Sequence, residues 1–239
     1  MSPPGRPQGE NRSAQHEGCP VSASDRRGRA DLGRRRWLAA GASVGAATLL
    51  PAAAWAGGQV EEPLGDSVRS ALSAAVANSA PPKPEFDRPE ARAAFQWWLS
   101  EVGERLRPRK PDPVTRVEFL ETLWYEAKRA GLDPSVVLGV IQVESAFRKY
   151  AISVVGARGY MQVMPFWARL IGDGDPARLF HMQTNLRFGC VILRHYLDTE
   201  RGDLFMALGR YNGSRGRAEY PNQVFAARRR WDVAPASLG

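Results

Sequence analysis

The chain has 239 residues, of which 44% are hydrophobic and 24% are charged, and its formal net charge is +8. This composition is ordinary for a globular protein, and without a basic-aromatic stripe or nucleic-acid motif we expect no nucleic-acid partner. Eight of the 33 Lys and Arg residues but only four of the 25 Asp and Glu residues precede residue 57, so the remainder carries +4. That mild excess suits an anionic polymer as partner.

Residues 1–56 have the pattern of a disordered region followed by an export signal. Residues 1–36 are rich in Gly, Pro, Ser and Arg and poor in apolar residues, which predicts disorder. An Ala/Gly-rich run then continues to Leu50, and Ala54-Trp55-Ala56 has small residues at the two positions that a signal peptidase reads. We therefore expect cleavage near Ala56 and a location in the periplasm or cell envelope.

The route of export has two interpretations. Arg34-Arg35, followed by Trp37-Leu38, resembles the twin-arginine pattern, and a Sec signal with a fortuitous arginine run is the alternative. The apolar run is short and is interrupted by Pro51, so we expect no stable membrane span.

Residues 57–110 are predicted to form an extension before the main domain. A short helix is expected around residues 68–76, then a Pro-rich linker at 80–84 and a helix over 89–107. The extension is interpreted as a spacer, as a cover that packs through Trp97 and Trp98, or as a docking segment.

Residues 111–239 are predicted to be mainly α-helical. Asp112-Pro113 and Asp133-Pro134 each match an N-cap followed by proline at the first helical position. The first of these helices should run to about Ala130 with its apolar face inward: Val117, Leu120, Leu123 and Trp124. Further helices are expected over 164–171, 184–199, 203–211 and 221–231, and the β-branched stretch 151–155 favours a small sheet or an irregular loop.

Glu144 is the most informative residue of this region. The preceding segment, residues 135–143, is apolar nearly all round and should be buried. Burial disfavours the charged form of a carboxyl group and raises its pKa. A carboxylic acid that is still protonated near neutral pH can donate a proton to a leaving-group oxygen, so Glu144 is a candidate general acid.

The sequence gives little support for a metal site or for a reactive thiol. His16, His181 and His195 do not have the spacing of a ligand cluster, and we expect no metal and no cofactor. Cys190 is the one cysteine after the signal, and its helical pattern indicates a core position.

Three blocks of residues follow one another from Glu144 onwards. The first comprises Glu144-Ser145, Ala151, Ser153, Gly156-Ala157, Gly159, Met161-Gln162 and Met164-Pro165; the second comprises Asn185 and Gly189; the third is the segment 207–213, Ala-Leu-Gly-Arg-Tyr-Asn-Gly. In this order the blocks resemble the signature of the soluble lytic transglycosylase (SLT) family. The resemblance implies a lysozyme-like helical (α+β) catalytic domain with a sugar-binding groove over residues 111–239. It also implies that peptidoglycan glycan strands are the substrate, with cell-envelope machinery as a further candidate partner.

The resemblance implies a role for seven residues. Glu144 would be the catalytic acid that cleaves the β-1,4 bond between N-acetylmuramic acid and N-acetylglucosamine and leaves a 1,6-anhydro end. The residues implied to bind substrate or support the groove are Ser145, Ser153, Met161, Gln162, Tyr211 and Asn212. Tyr211 is also expected to place its hydroxyl near Glu144 and tune its pKa.

The chain departs from the family pattern at two places. Tyr160 and Phe166-Trp167 replace Leu and a Thr-Ala pair, and they are either sugar-stacking faces or core residues. The family's Tyr-Asn-Ala-Gly becomes Tyr-Asn-Gly-Ser at residues 211–214, followed by Arg215 and Arg217, which either meet peptide-stem carboxylates or are solvated.

Two alternatives stay open at this point. A muramidase would hydrolyse the same bond, with Asp173 or Asp175 assisting a water molecule. A non-catalytic wall-binding scaffold would keep the groove only, although binding alone would not require a desolvated acid.

Overall fold

The structure, a computed structural model, describes residues 58–77 and 84–233. Eight α-helices lie within these ranges: α1 (Asp66–Ala77), α2 (Pro89–Leu106), α3 (Pro113–Arg129), α4 (Pro134–Ser145), α5 (Pro165–Ile171), α6 (Met182–Thr199), α7 (Leu204–Asn212) and α8 (Glu219–Arg228). A short 3-10 helix, Pro176–Phe180, precedes α6. The predicted signal, its cleavage site and most of the Pro-rich linker lie outside the described residues.

Aspartate caps begin three of the helices, as the sequence predicted. Asp112 accepts a hydrogen bond from Thr115 N at 2.7 Å, and Asp133 accepts one from Ser135 N at 2.8 Å. Asp203 caps α7 in the same way. Each cap satisfies a backbone N–H that has no partner within the helix.

Helix α4 lies at the centre of the packing, between α3 and α8. Its apolar residues are buried as predicted: Val136, Val137, Leu138, Val140 and Ile141. Gly139 lets α8 approach closely, because a Cβ at this position would lie 2.9 Å from the carbonyl oxygen of Val224. The α4–α8 contact therefore determines which side chains of α8 lie beside the last turn of α4.

The prediction of a mainly helical fold with a small β or loop element is confirmed for the described residues. The β element is a loop over residues 151–164 with two isolated antiparallel bridges, Ile152 with Arg158 and Arg158 with Val163. This loop connects α4 to α5 and is called the 151–164 loop below.

Two details of the prediction are wrong. Val117 is 40% exposed rather than inward, because the buried face of α3 is formed by Phe119, Leu120 and Leu123. The last helix begins at Glu219, two residues before Pro221, and ends at Arg228. Proline is tolerated within a first helical turn because its missing N–H would have no partner there.

Both helices of the extension contact the rest of the described chain. Helix α1 packs against α5 and α6. In α2, Trp98 packs against Trp124 of α3 with ring centroids 4.6 Å apart, and Phe95 contacts both rings. Within the described residues no helix has the length and apolarity needed to cross a bilayer.

A buried ion pair joins α3 to α6. Glu126 is 1% exposed and accepts two hydrogen bonds from Arg187, at 3.0 and 2.8 Å. Arg129 lies 3.3 Å from the other carboxylate oxygen. Removing one member of a buried pair leaves the other charge in a poorly solvating interior.

We expect Arg187→Met to lower the free energy of unfolding by about 3 kcal/mol, because Glu126 would lose its main counter-charge. The matched control is Arg194→Met on the same helix, which removes the half-exposed pair with Asp198 and should cost less than about 0.5 kcal/mol. Urea denaturation measures both values. Equal losses in the two variants would contradict the assignment of Glu126–Arg187 as the main ion pair of the core.

Candidate functional site

The backbone turns sharply directly after Glu144. Helix α4 ends at Ser145, and Ala146 and Phe147 follow with φ of 49° and 67°, in the left-handed region that non-glycine residues rarely occupy. The Phe147 ring is held between Phe119 and Trp231, with centroids 6.1 and 5.2 Å away. Aromatic packing therefore stabilises a strained turn, of the kind that often marks a functional site.

Glu144 is 4% exposed, and one of its oxygens has a protein partner. The Tyr220 hydroxyl donates a 2.6 Å hydrogen bond to Oε1. Oε2 is buried and has no hydrogen-bond partner in the described part of the chain. Burial raises the pKa of the Glu144 carboxyl to about 8, and the Tyr220 hydrogen bond acts in the opposite direction.

These contacts determine where the proton of the neutral acid resides. Oε1 accepts the Tyr220 hydrogen bond, so the proton is left on Oε2, the oxygen without a protein partner. Arg148 does not pair with the carboxyl, since its Nε donates to the carbonyl oxygen of Ser145 at 3.0 Å. At neutral pH the site can therefore present an O–H donor to a bound molecule.

The 151–164 loop is held by side-chain amides. Gln162, with φ of 48°, donates to the carbonyl oxygens of Ala151 and Gly159 at 3.1 and 2.9 Å. Asn185, from α6, accepts from Met161 N at 2.8 Å and donates to the carbonyl oxygens of Arg158 and Leu179. Gly159 has no room for a side chain, because a Cβ there would lie 2.4 Å from Asn185 Nδ2.

The C-terminal end of helix α7 contacts the 151–164 loop. The Tyr211 hydroxyl is buried and donates to the carbonyl oxygen of Met161 at 2.8 Å. The Asn212 amide nitrogen donates to Ser214 Oγ at 3.0 Å, whereas its Oδ1 is buried with no partner among the described residues. Asn212 therefore keeps an acceptor available.

The structure places the remaining candidates in supporting positions. The Ser145 hydroxyl donates to the carbonyl oxygen of Ile141, and Ser153 Oγ accepts from Ala157 N inside the loop. Met161 and Gln162 are fully buried. Among the candidate residues, the buried side-chain polar atoms without a hydrogen-bond partner in the described chain are thus Glu144 Oε2 and Asn212 Oδ1.

The structure also places the aromatic residues and arginines whose roles the sequence left open. Tyr160, Phe166 and Trp167 are all buried, which places them in the core. Arg215 makes two hydrogen bonds to Glu200, at 2.7 and 2.9 Å. Arg210 also contacts Glu200, and the two arginines hold the pKa of its carboxyl down at about 2.

Sequence reasoning missed two residues that contact the site, Tyr220 and Gln59. Tyr220 shares the buried face of α8 with Val224 and Ala227, at i+4 and i+7, and this spacing is the one signal that could have identified it. Gln59 is 5% exposed and accepts a hydrogen bond from Met164 N at 3.3 Å. Nothing in its local sequence indicates this contact.

The acids proposed to assist a water molecule have other partners. Asp173 pairs with Arg178 and accepts from Asp175 N. Asp175 caps the 3-10 helix through Ala177 N at 2.8 Å. The pKa of Glu144 is set by burial and Tyr220, with no contribution from a second carboxylate of the described residues.

The chain is similar to known proteins over part of its length. The chain is 39% identical over 84 residues to membrane-bound lytic murein transglycosylase C of Actinobacillus pleuropneumoniae, covering 32% of this chain and 23% of that protein. It is 34% identical over 104 residues to the transglycosylase of Enterobacteria phage PRD1, covering 44% of this chain and 38% of the phage protein. The chain thus spans well under half the length of these relatives.

A solved structure and a family description complete the comparison. An inactive mutant of lytic transglycosylase Slt from Pseudomonas aeruginosa aligns with 23% identity and a TM-score of 0.38, over 59% of this chain and 27% of that one. Residues 122–232 match the family described as transglycosylase SLT domain, and they include Glu144, the 151–164 loop, α7 and Tyr220. This part of the chain is therefore similar to the transglycosylase SLT domain family.

Proposed function

We propose that this protein is an exported lytic transglycosylase that cleaves peptidoglycan between N-acetylmuramic acid and N-acetylglucosamine. The observation that carries the proposal is the buried carboxyl of Glu144, whose pKa is raised to about 8 and whose Oε2 has no protein partner. The relatives that this chain resembles are named transglycosylases, which supports the same reaction class.

Glu144 acts first as a general acid. Its Oε2–H donates a proton to the glycosidic oxygen, the bond from that oxygen to C1 of the muramic acid breaks, and an oxocarbenium-like centre develops at C1. A general acid works best when its pKa lies near the working pH, which holds here because burial keeps the carboxyl protonated.

Glu144 then acts as the base. The carboxylate left after the first step accepts the proton of the muramyl C6 hydroxyl as that oxygen attacks C1. A 1,6-anhydro ring forms, the acid regains its proton, and no water is consumed. This route suits a site in which Asp173 and Asp175, the acids expected to assist a water molecule, have other partners.

The other residues bind substrate or shape the groove. Asn212 offers its unpartnered Oδ1 to a sugar hydroxyl or amide. Tyr211 and Gln162 hold the 151–164 loop, so that Met161 and Ser153 form a fixed wall. Ser145 fixes the end of α4 through its hydrogen bond to Ile141.

Localisation in the cell envelope is part of this proposal. Peptidoglycan lies outside the cytoplasmic membrane, and the Ala54-Trp55-Ala56 pattern is typical of an export signal. The similarity to a protein named membrane-bound lytic murein transglycosylase C supports an envelope setting.

The products of digestion test the proposal directly. We expect soluble fragments from purified peptidoglycan to carry 1,6-anhydro ends, one water lighter than reducing ends, when analysed by mass spectrometry. Glu144→Gln should release none, because an amide cannot donate this proton. Reducing ends would indicate a hydrolase, and binding without release by the wild type would indicate a scaffold.

The stability of the protein should also record the state of Glu144. Its folded pKa of about 8 lies above the ordinary value of 4.5. The stabilisation that this carboxyl contributes to the folded state is therefore fully present below pH 4.5 and is lost as the pH rises towards 8. We expect the Tm of Glu144→Gln minus that of wild type to rise between pH 5 and pH 9, because the variant removes this titration. The exposed control Glu101→Gln should show a constant difference, and a constant difference for Glu144→Gln would contradict a neutral buried acid.

A further inference from the structure

The segment that precedes α1, residues 58–62, lies against the candidate substrate-binding residues. Gly58 approaches the backbone of Asn212 and Gly213 so closely that a Cβ on Gly58 would lie 2.5 Å from the Asn212 carbonyl oxygen. A Cβ on Gly213 would lie 1.8 Å from the Gly58 carbonyl oxygen. Both positions therefore require glycine for this contact to exist.

Gln59 extends the contact towards the catalytic side of the groove. Its Oε1 accepts a hydrogen bond from Met164 N at 3.3 Å, and its side chain also lies beside the Tyr211 hydroxyl. Its Nε2 is buried without a partner among the described residues. A buried donor without an acceptor is unusual in a native structure and calls for an explanation.

An ion pair joins residues 58–62 to the last turn of α7. Arg210 Nη1 donates to both carboxylate oxygens of Glu62, at 2.7 and 2.9 Å. Arg210 is held in turn by Glu200 at 2.8 Å. The segment is thus fixed at Gly58, at Gln59 and at Glu62, over a length of five residues.

We propose that residues 58–62 are an internal occupant of the glycan groove, which must leave before substrate binds. This inference rests on the proposed function. The Gln59 carboxamide takes the place of the acetamido group of an amino sugar, because its carbonyl accepts from Met164 N as an N-acetyl carbonyl would.

The residue at position 213 supports the same conclusion. The SLT pattern that segment 207–213 resembles has alanine here, whereas this chain has glycine. An alanine would collide with the Gly58 carbonyl oxygen. The departure from the pattern therefore permits the segment to lie in the groove.

The test measures binding of N,N′,N″-triacetylchitotriose to the full chain by calorimetry. When the segment occupies the groove in about four of every five molecules, only about one in five can bind the sugar. A variant that displaces the segment then binds with an apparent affinity about fivefold tighter. We expect this gain in Gly213→Ala and in Gln59→Ala, and a smaller gain in Glu62→Gln. The control is Gly216→Ala, which has the same left-handed backbone, φ of 80° against 76°, and open space around its Cβ, and which should bind as wild type does.

The sign of the change separates the possible outcomes. Weaker binding by Gln59→Ala would mean that the segment is part of the groove wall, and equal affinity in all variants would mean that it does not compete; either result overturns the proposal. If the wild type still releases anhydro products in those cases, the proposed function stands. If no variant binds the trisaccharide and the wild type releases nothing, both fail together.

Discussion

The desolvation of one carboxyl group, Glu144, is the constraint on which the site depends. Helix α4 is apolar and packed on both sides, so its last turn carries the carboxyl into the interior. Helix α8 supplies the one hydroxyl that contacts it, from Tyr220, and this contact exists because Gly139 lets α8 approach α4. Burial raises the pKa of the acid more than the hydrogen bond lowers it.

The contacts that hold the 151–164 loop differ from the contacts that hold Gln59. Asn185 and Gln162 bind several backbone groups of the 151–164 loop, and Tyr211 binds the Met161 carbonyl, so the wall of the groove is fixed. The contacts of Gln59 are fewer, and one of its amide atoms has no partner in the described chain. This difference supports our inference that residues 58–62 are displaced while the loop is not.

Local signals predicted most of the fold but only part of the site. The pairs Asp112-Pro113 and Asp133-Pro134 predicted two helix starts because capping depends on adjacent residues. Burial of α4 followed from its apolar sequence. By contrast, Tyr220 lies 76 positions from Glu144 and Gln59 lies 105 from Met164, and such pairings depend on tertiary packing rather than on periodicity. The Tyr211 hydroxyl, expected near Glu144, donates to the Met161 carbonyl oxygen instead, and Tyr220, which the sequence did not indicate, donates to the acid.

The most direct test of the central claim is the pKa of Glu144 itself. Carbon-13 NMR of protein labelled at the glutamate side-chain carboxyl carbons would follow each carboxyl between pH 4 and pH 10, and Glu144→Gln would assign the signal by its loss. Our account predicts a midpoint at about 8, with a shift to still higher pH in Tyr220→Phe, because the hydrogen bond that lowers the pKa is removed. A midpoint near the ordinary value of 4.5 would contradict the account, since the acid would then be ionised at neutral pH.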